Sequence, residues 1–126
     1  MDEIKKIIES FAERIEAPRV YLPTYNHSED VARPHIEKQG DEYHWVVVER
    51  GEELQRKKTT EIKELMFWVF DSITFQMAIT LELKNRNDDE DFRIQMFRIQ
   101  EELIGKIDRE YEKRIAQKHQ KLLKGK

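Results

Sequence analysis

The chain has 126 residues, of which 38% are hydrophobic and 39% charged, with 10% aromatic residues, a net charge of −3 and no cysteine. That length suits one domain burying roughly two thirds of its unfolded surface; the missing cysteine excludes a disulfide framework or thiolate metal site and fits a reducing cytoplasm. The longest apolar run, Leu65–Phe70, is far shorter than the about 20 residues that span a bilayer, and the opening MDEIKKIIES lacks a signal peptide's apolar core, so a soluble cytoplasmic domain is expected, with no membrane partner.

The first element is a helix over Asp2–Glu16. Ile4, Ile7, Ile8, Phe11 and Ile15 fall on one helical stripe, Asp2 is placed to cap it, and Pro18 is placed to end it. Arg19–Arg33 follows without helical or strand period, a long loop carrying Tyr21, Leu22 and Tyr25; loops of that length are functional or disordered. Three antiparallel strands come next, at Pro34–Lys38, Glu42–Arg50 and Glu52–Lys58, punctuated by Gly40 and Gly51. The central strand is apolar on both faces, which predicts that both are covered. The third has Leu54 as its one aliphatic anchor, with Arg56, Lys57 and Lys58 guarding an edge.

Thr59 or Thr60 caps a helix predicted to run to about Arg86. Its polar stripe of Thr60, Glu64, Asp71, Thr74, Glu82 and Asn85 is narrow, which makes it the spine of the core. Asn87 and Glu90 have capping-box spacing for one last helix carrying Phe92, Met96, Ile99, Leu103, Ile107, Tyr111 and Ile115 on a single stripe. Gln117–Lys126 is expected to be a frayed basic tail, dispensable for folding. The fold class is thus α+β: an N-terminal amphipathic helix, a three-stranded antiparallel meander and two long packed C-terminal helices, in one domain over residues 1–126.

No catalytic constellation emerges. None of His27, His35, His44 and His119 has metal-binding spacing. No serine lies in a nucleophile elbow, and no glycine-rich loop offers a phosphate cradle. Asp88–Asp91 lacks the ligand pattern of a calcium loop and reads as helix capping. His44 alternates with Val46 and Val48, as a satisfied sheet-face histidine would. No cofactor, metal or enzymatic activity is expected. The Lys106–Lys126 segment holds eight basic and three acidic residues. It supports an alternative function, a small nucleic-acid-associated regulator using a Lys-rich helix, but basic residues are sparse among the aromatics, so nucleic acid is not the expected partner.

Polarity is conspicuous at Glu49–Arg50–Gly51–Glu52. Glu49 sits where the Tyr43–Trp45–Val47 alternation calls for an apolar residue, and Arg86 and Arg93 flank the joint between the long helices. These groups make either a structural ion-pair set or a recognition patch beside the tyrosine loop, since Tyr and Arg anchor protein interfaces.

YLPTY (Tyr21–Tyr25), YHWVVVERGEE (Tyr43–Glu53), LMFWVFDSITFQMA (Leu65–Ala78), ELKNR (Glu82–Arg86) and DFRIQMFRIQEELI (Asp91–Ile104) together resemble the immunity protein 63 family over roughly Tyr21–Leu123. The resemblance implies the non-catalytic immunity component of a bacterial polymorphic toxin system, whose partner is a cognate toxin encoded nearby. The pattern expects paired arginines where this chain has Arg93–Ile94. The partner-binding candidates are Tyr21, Tyr25, Tyr43, Glu49, Arg50, Arg86 and Arg93. Sequence leaves the oligomeric state and the toxin's activity open.

Overall fold

The structure is a computed structural model describing residues 1–28, 33–86 and 88–124. Its elements are α1 (Asp2–Arg14), a 3-10 turn (Arg19–Tyr21), β1 (Thr24–Tyr25), β2 (His35–Gln39), β3 (Glu42–Glu49), β4 (Glu52–Thr59), α2 (Ile62–Lys84), α3 (Phe92–Gly105) and α4 (Arg109–Lys124). The α+β class stands. The chain divides into two compact units, residues 1–10 with 18–69, and residues 11–17 with 70–126.

In the first unit, Ile4 and Ile8 of α1 and Leu65, Met66 and Val69 of α2 are buried. The sheet runs β1-β2-β3-β4. β2, β3 and β4 pair antiparallel as expected, but β1 adds a parallel edge through Thr24↔His35 and Tyr25↔Ile36. The expected meander is therefore part of a four-stranded mixed sheet. Two backbone bonds flank the short strand, Thr24 N–H to Pro34 O at 3.1 Å and Asn26 N–H to Ile36 O at 2.8 Å. Two residues are too few for period-2 alternation to be legible.

Arg50 and Gly51 both have positive φ, 54° and 75°, as the two-residue type I′ hairpin requires. The β3–β4 register slips between Val47 and Val48, leaving Leu54 as the extra residue. A bulge of this kind breaks side-chain alternation, and Leu54 is 56% exposed; it is not the anchor the sequence suggested.

In the second unit, α1 ends earlier than Pro18 requires. Glu16 is left-handed (φ 55°), Glu16 N–H bonds Glu13 O, and Ala17 N–H bonds Ala12 O. This is a Schellman ending made without glycine. α2 is less of a spine than its composition implies. Thr74 and Glu82 of the presumed polar stripe are buried, whereas Phe75, Leu81 and Leu83 are exposed.

The single last helix is two. Lys106–Asp108 interrupts it, and Asp108 Oδ1 accepts from the N–H of Glu110 at 2.7 Å and of Tyr111 at 3.3 Å, an N-cap for α4. Asp91 caps α3 through Arg93 N–H at 3.0 Å; the Asn87 capping proposal lies outside the described residues. α4 stays helical to Lys124 with His119 buried, where a frayed tail was expected from Gln117 onward.

Candidate partner-binding residues

Tyr21 and Tyr25 come from the segment between α1 and β2. The 3-10 turn is closed by Tyr21 N–H to Pro18 O, and Arg33 fastens its far side by donating from Nε to Leu22 O at 2.8 Å and from Nη2 to Arg19 O at 3.3 Å. Tyr25 lines an open cleft of about 450 Å³ floored by Leu22 and Pro23 and edged by Lys5, Glu9, Arg19, His27 and Arg33. Lys5 Nζ stands 5.7 Å from the Tyr25 ring centroid, and Arg19 reaches Glu9 at 3.7 Å. The Tyr25 hydroxyl is buried and has no hydrogen-bond partner among the described residues. Burial, reinforced by Glu9 and opposed by Arg33, pushes this phenol up to about 12. Cations outnumber carboxylates around an apolar floor, so the cleft suits an anionic group carried on an apolar stem.

The remaining candidates belong to β3, the hairpin that follows it and the second unit. Tyr43 stands at the β2–β3 end of β3, opposite Lys38 and Thr59, with Lys38 Nζ 5.8 Å from its ring. Glu49 and Arg50 occupy the opposite end of that strand, roughly 20 Å away at strand rise. Glu49 faces Glu52 at an exposed hairpin tip, so the register slip and the turn supply a structural reason for its polarity. Arg86 and Arg93 belong to the second unit. Arg86 grips buried Glu82 through two bonds, 3.0 and 2.9 Å, and its guanidinium lies 5.2 Å from the Phe92 ring centroid. Arg93 holds the capping carboxylate of Asp91 at 3.0 Å. The Arg86 hydrogen bonds hold the Glu82 carboxyl below its ordinary range. Both arginines use carboxylates close in sequence.

Two polar clusters went unread in the sequence. On the sheet, Arg56 donates to Glu37 at 3.0 Å, to Glu53 at 2.8 Å and to His44 Nδ1 at 2.7 Å. Buried His35 donates from Nε2 to Glu37 at 2.8 Å. That bond, then the Arg56 bond, holds the Glu37 carboxyl down at about 2. His44 is satisfied as expected, its Nε2 facing Glu42 at 3.4 Å. The signal was present in the alternation His35–Glu37 and Glu42–His44, but only cross-strand register sets Glu37 against His44.

In the helical unit, Gln100 donates to Asp71 Oδ1 at 3.0 Å and Thr74 Oγ1 at 3.2 Å, and accepts from His119 at 2.9 Å. His119 also meets Glu101 at 2.7 Å and stacks on Phe97 with centroids 3.9 Å apart. Lys118 donates to Asp71 at 2.9 Å. With Arg109 paired to Glu112 and Lys113 to Glu110, several cations of the Lys-rich helix already hold carboxylates.

Among the described residues no group of three or more His, Asp or Glu could hold a metal ion, and no helix is long and apolar enough to cross a membrane. No curated protein and no solved structure matches the chain. The profile of Immunity protein 63 matches residues 39–121, a range containing Tyr43, Glu49, Arg50, Arg86 and Arg93 but not the tyrosine cleft. It spans about two thirds of the sequence and includes β3, β4 and α2 through most of α4. The chain belongs to the immunity protein 63 family.

Proposed function

We infer that this protein is a non-catalytic immunity protein that binds a cognate toxin domain encoded beside it and neutralises it by occlusion, acting as one domain in the bacterial cytoplasm. Family membership over residues 39–121 is the observation that carries the reading, because immunity proteins in general neutralise toxins. The cleft around Tyr25 supports a contact surface there: it is concave, apolar at its floor and cationic at its rim, the chemistry of a pocket that receives one anchor side chain. Tyr21 extends that surface, and Tyr43 and, at the opposite end of β3, the Glu49–Arg50 hairpin tip offer two separate further contacts on the same unit. Arg86 and Arg93 contribute least, since each already holds a carboxylate of its own segment.

Co-expression with the adjacent gene product should yield a co-purifying complex and protect the host. Tyr25→Ala should weaken that complex by roughly thirtyfold, as expected of an anchor worth about 2 kcal/mol, and Arg50→Ala should weaken it less. Both variants should melt within a few degrees of the parent. Absence of any complex would sink the reading; full affinity in Tyr25→Ala would move the contact surface away from the cleft.

A further inference from the structure

Helix α2 carries no charged residue from Ser72 through Leu81, in a chain that is 39% charged. The next residue, Glu82, is 2% exposed and clamped by Arg86. Part of this stretch faces the core, but one side of it does not. Phe75, Ile79 and Leu83 recur every four residues and so form one ridge along the helix. Phe75 is 40% and Leu83 59% exposed, with Ile79 half-buried between them. The neighbouring row of Ser72, Gln76 and Thr80 is half-buried and turns its polar groups along the helix. Gln76 donates to Ser72 Oγ at 3.4 Å, and the Thr80 hydroxyl to Gln76 O at 3.2 Å. All six residues lie in the second unit. The outer side of α4 differs, with Arg109, Glu110, Lys113 and Arg114 all exposed. Depletion of charge around an exposed aromatic is the mark of an interface core, not of a solvated helix face.

We propose that α2 packs against α2 of a second copy of the chain about a two-fold axis. Such a contact is isologous, bringing the same patch of surface together from both copies, so any charge near the axis meets its like. A face without charge escapes that repulsion. Its shape also suits itself. Rows of residues four apart form parallel ridges, and the ridges of two helices interdigitate when the axes cross at about −50°. The Phe75–Ile79–Leu83 ridge of each copy then lies in the groove between the same ridge and the Ser72–Gln76–Thr80 row of the other. Three apolar side chains from each copy make a small contact, below the roughly 1,200 Å² at which stable interfaces begin. A weak, reversible dimer follows.

Self-association needs no toxin, and analytical ultracentrifugation of the full chain tests it. A monomer–dimer equilibrium in the micromolar range or above is expected. Leu83→Glu should raise the dissociation constant roughly tenfold, because it seats a carboxylate in the contact twice by symmetry. Leu81→Glu should leave it unchanged, since Leu81 is also exposed, at 37%, but lies two residues away and so on the opposite side of the helix. The chain has no cysteine, so Ile79→Cys supplies a single thiol near the axis. A short bismaleimide should link two such chains and should fail to link Leu81→Cys. Circular dichroism checks that each variant stays folded. A chain monomeric at every concentration reached would overturn the proposal, and if Leu83→Glu then abolished the toxin complex the ridge would belong to the toxin. A dimer indifferent to Leu83→Glu would overturn it equally, by placing the interface elsewhere.

Discussion

At the scale of single residues, Glu37 has the most measurable consequence. Its carboxyl sits at about 2 in the fold against an ordinary 4.5, chiefly through the His35 hydrogen bond and then the Arg56 one. A depressed carboxyl pKa means that the unfolded chain takes up the proton first as pH falls. Its stabilisation is fully present above about 4.5 and lost on descending through about 2. Allowing for its partial exposure, the loss should be on the order of 1–2 kcal/mol. Thermal melts across that range should show it, and Glu37→Gln should flatten the slope; an unchanged slope would mean other carboxylates set it. Trp68 makes a second case. It is half-buried, with the Lys57 ammonium 4.9 Å from its ring. Trp68→Ala should therefore cost about 2 kcal/mol in urea denaturation, less than the 3–5 of a fully buried ring.

At the scale of elements, the joint between α3 and α4 is set by Asp108. Asp108→Ala should lower stability by about 1 kcal/mol, the usual worth of an N-cap, and a loss under about 0.3 kcal/mol in chemical denaturation would show that water replaces the cap at no cost. The joint illustrates what sequence reading could reach. Leu103, Tyr111 and Ile115 are buried, as one continuous stripe requires, and that continuity concealed the break, although Gly105 followed by Asp108 is a stop followed by a start. Strand positions β2 to β4 were legible because Gly40 and Gly51 mark turns that need positive φ. The Leu54 bulge was not, because a register slip arises from pairing between strands and leaves no local mark. The same holds for Glu37 and Arg56, which meet across 19 positions of sequence.

At the scale of the whole molecule, charge reads differently in three dimensions. The basic C-terminal segment looked like a solvated tail, yet Lys118 and His119 reach Asp71, Gln100 and Glu101. Deleting residues 117–126 should then cost about 3 kcal/mol or more, because it strips a buried histidine from its partners and leaves Gln100 Oε1 without its donor. A deletion variant with the parent's melting temperature would restore the frayed-tail description. Tyr21 and Tyr25 were legible as candidates because their loop had no period to explain them. The cleft's basic rim was not, since Lys5, Arg19 and Arg33 come from separate stretches of chain.

Asp71 also constrains the order of events in folding. One carboxylate on α2 receives bonds from Gln100 and Lys118, contacts that close sequence gaps of 29 and 47 residues. Loops of that length are entropically slow to close, and they close on a helix turn that must already exist. Amide hydrogens of α4 should accordingly exchange by a lower-energy opening than those in the middle of α2, making the C-terminal helix the last part to lock and the first to release.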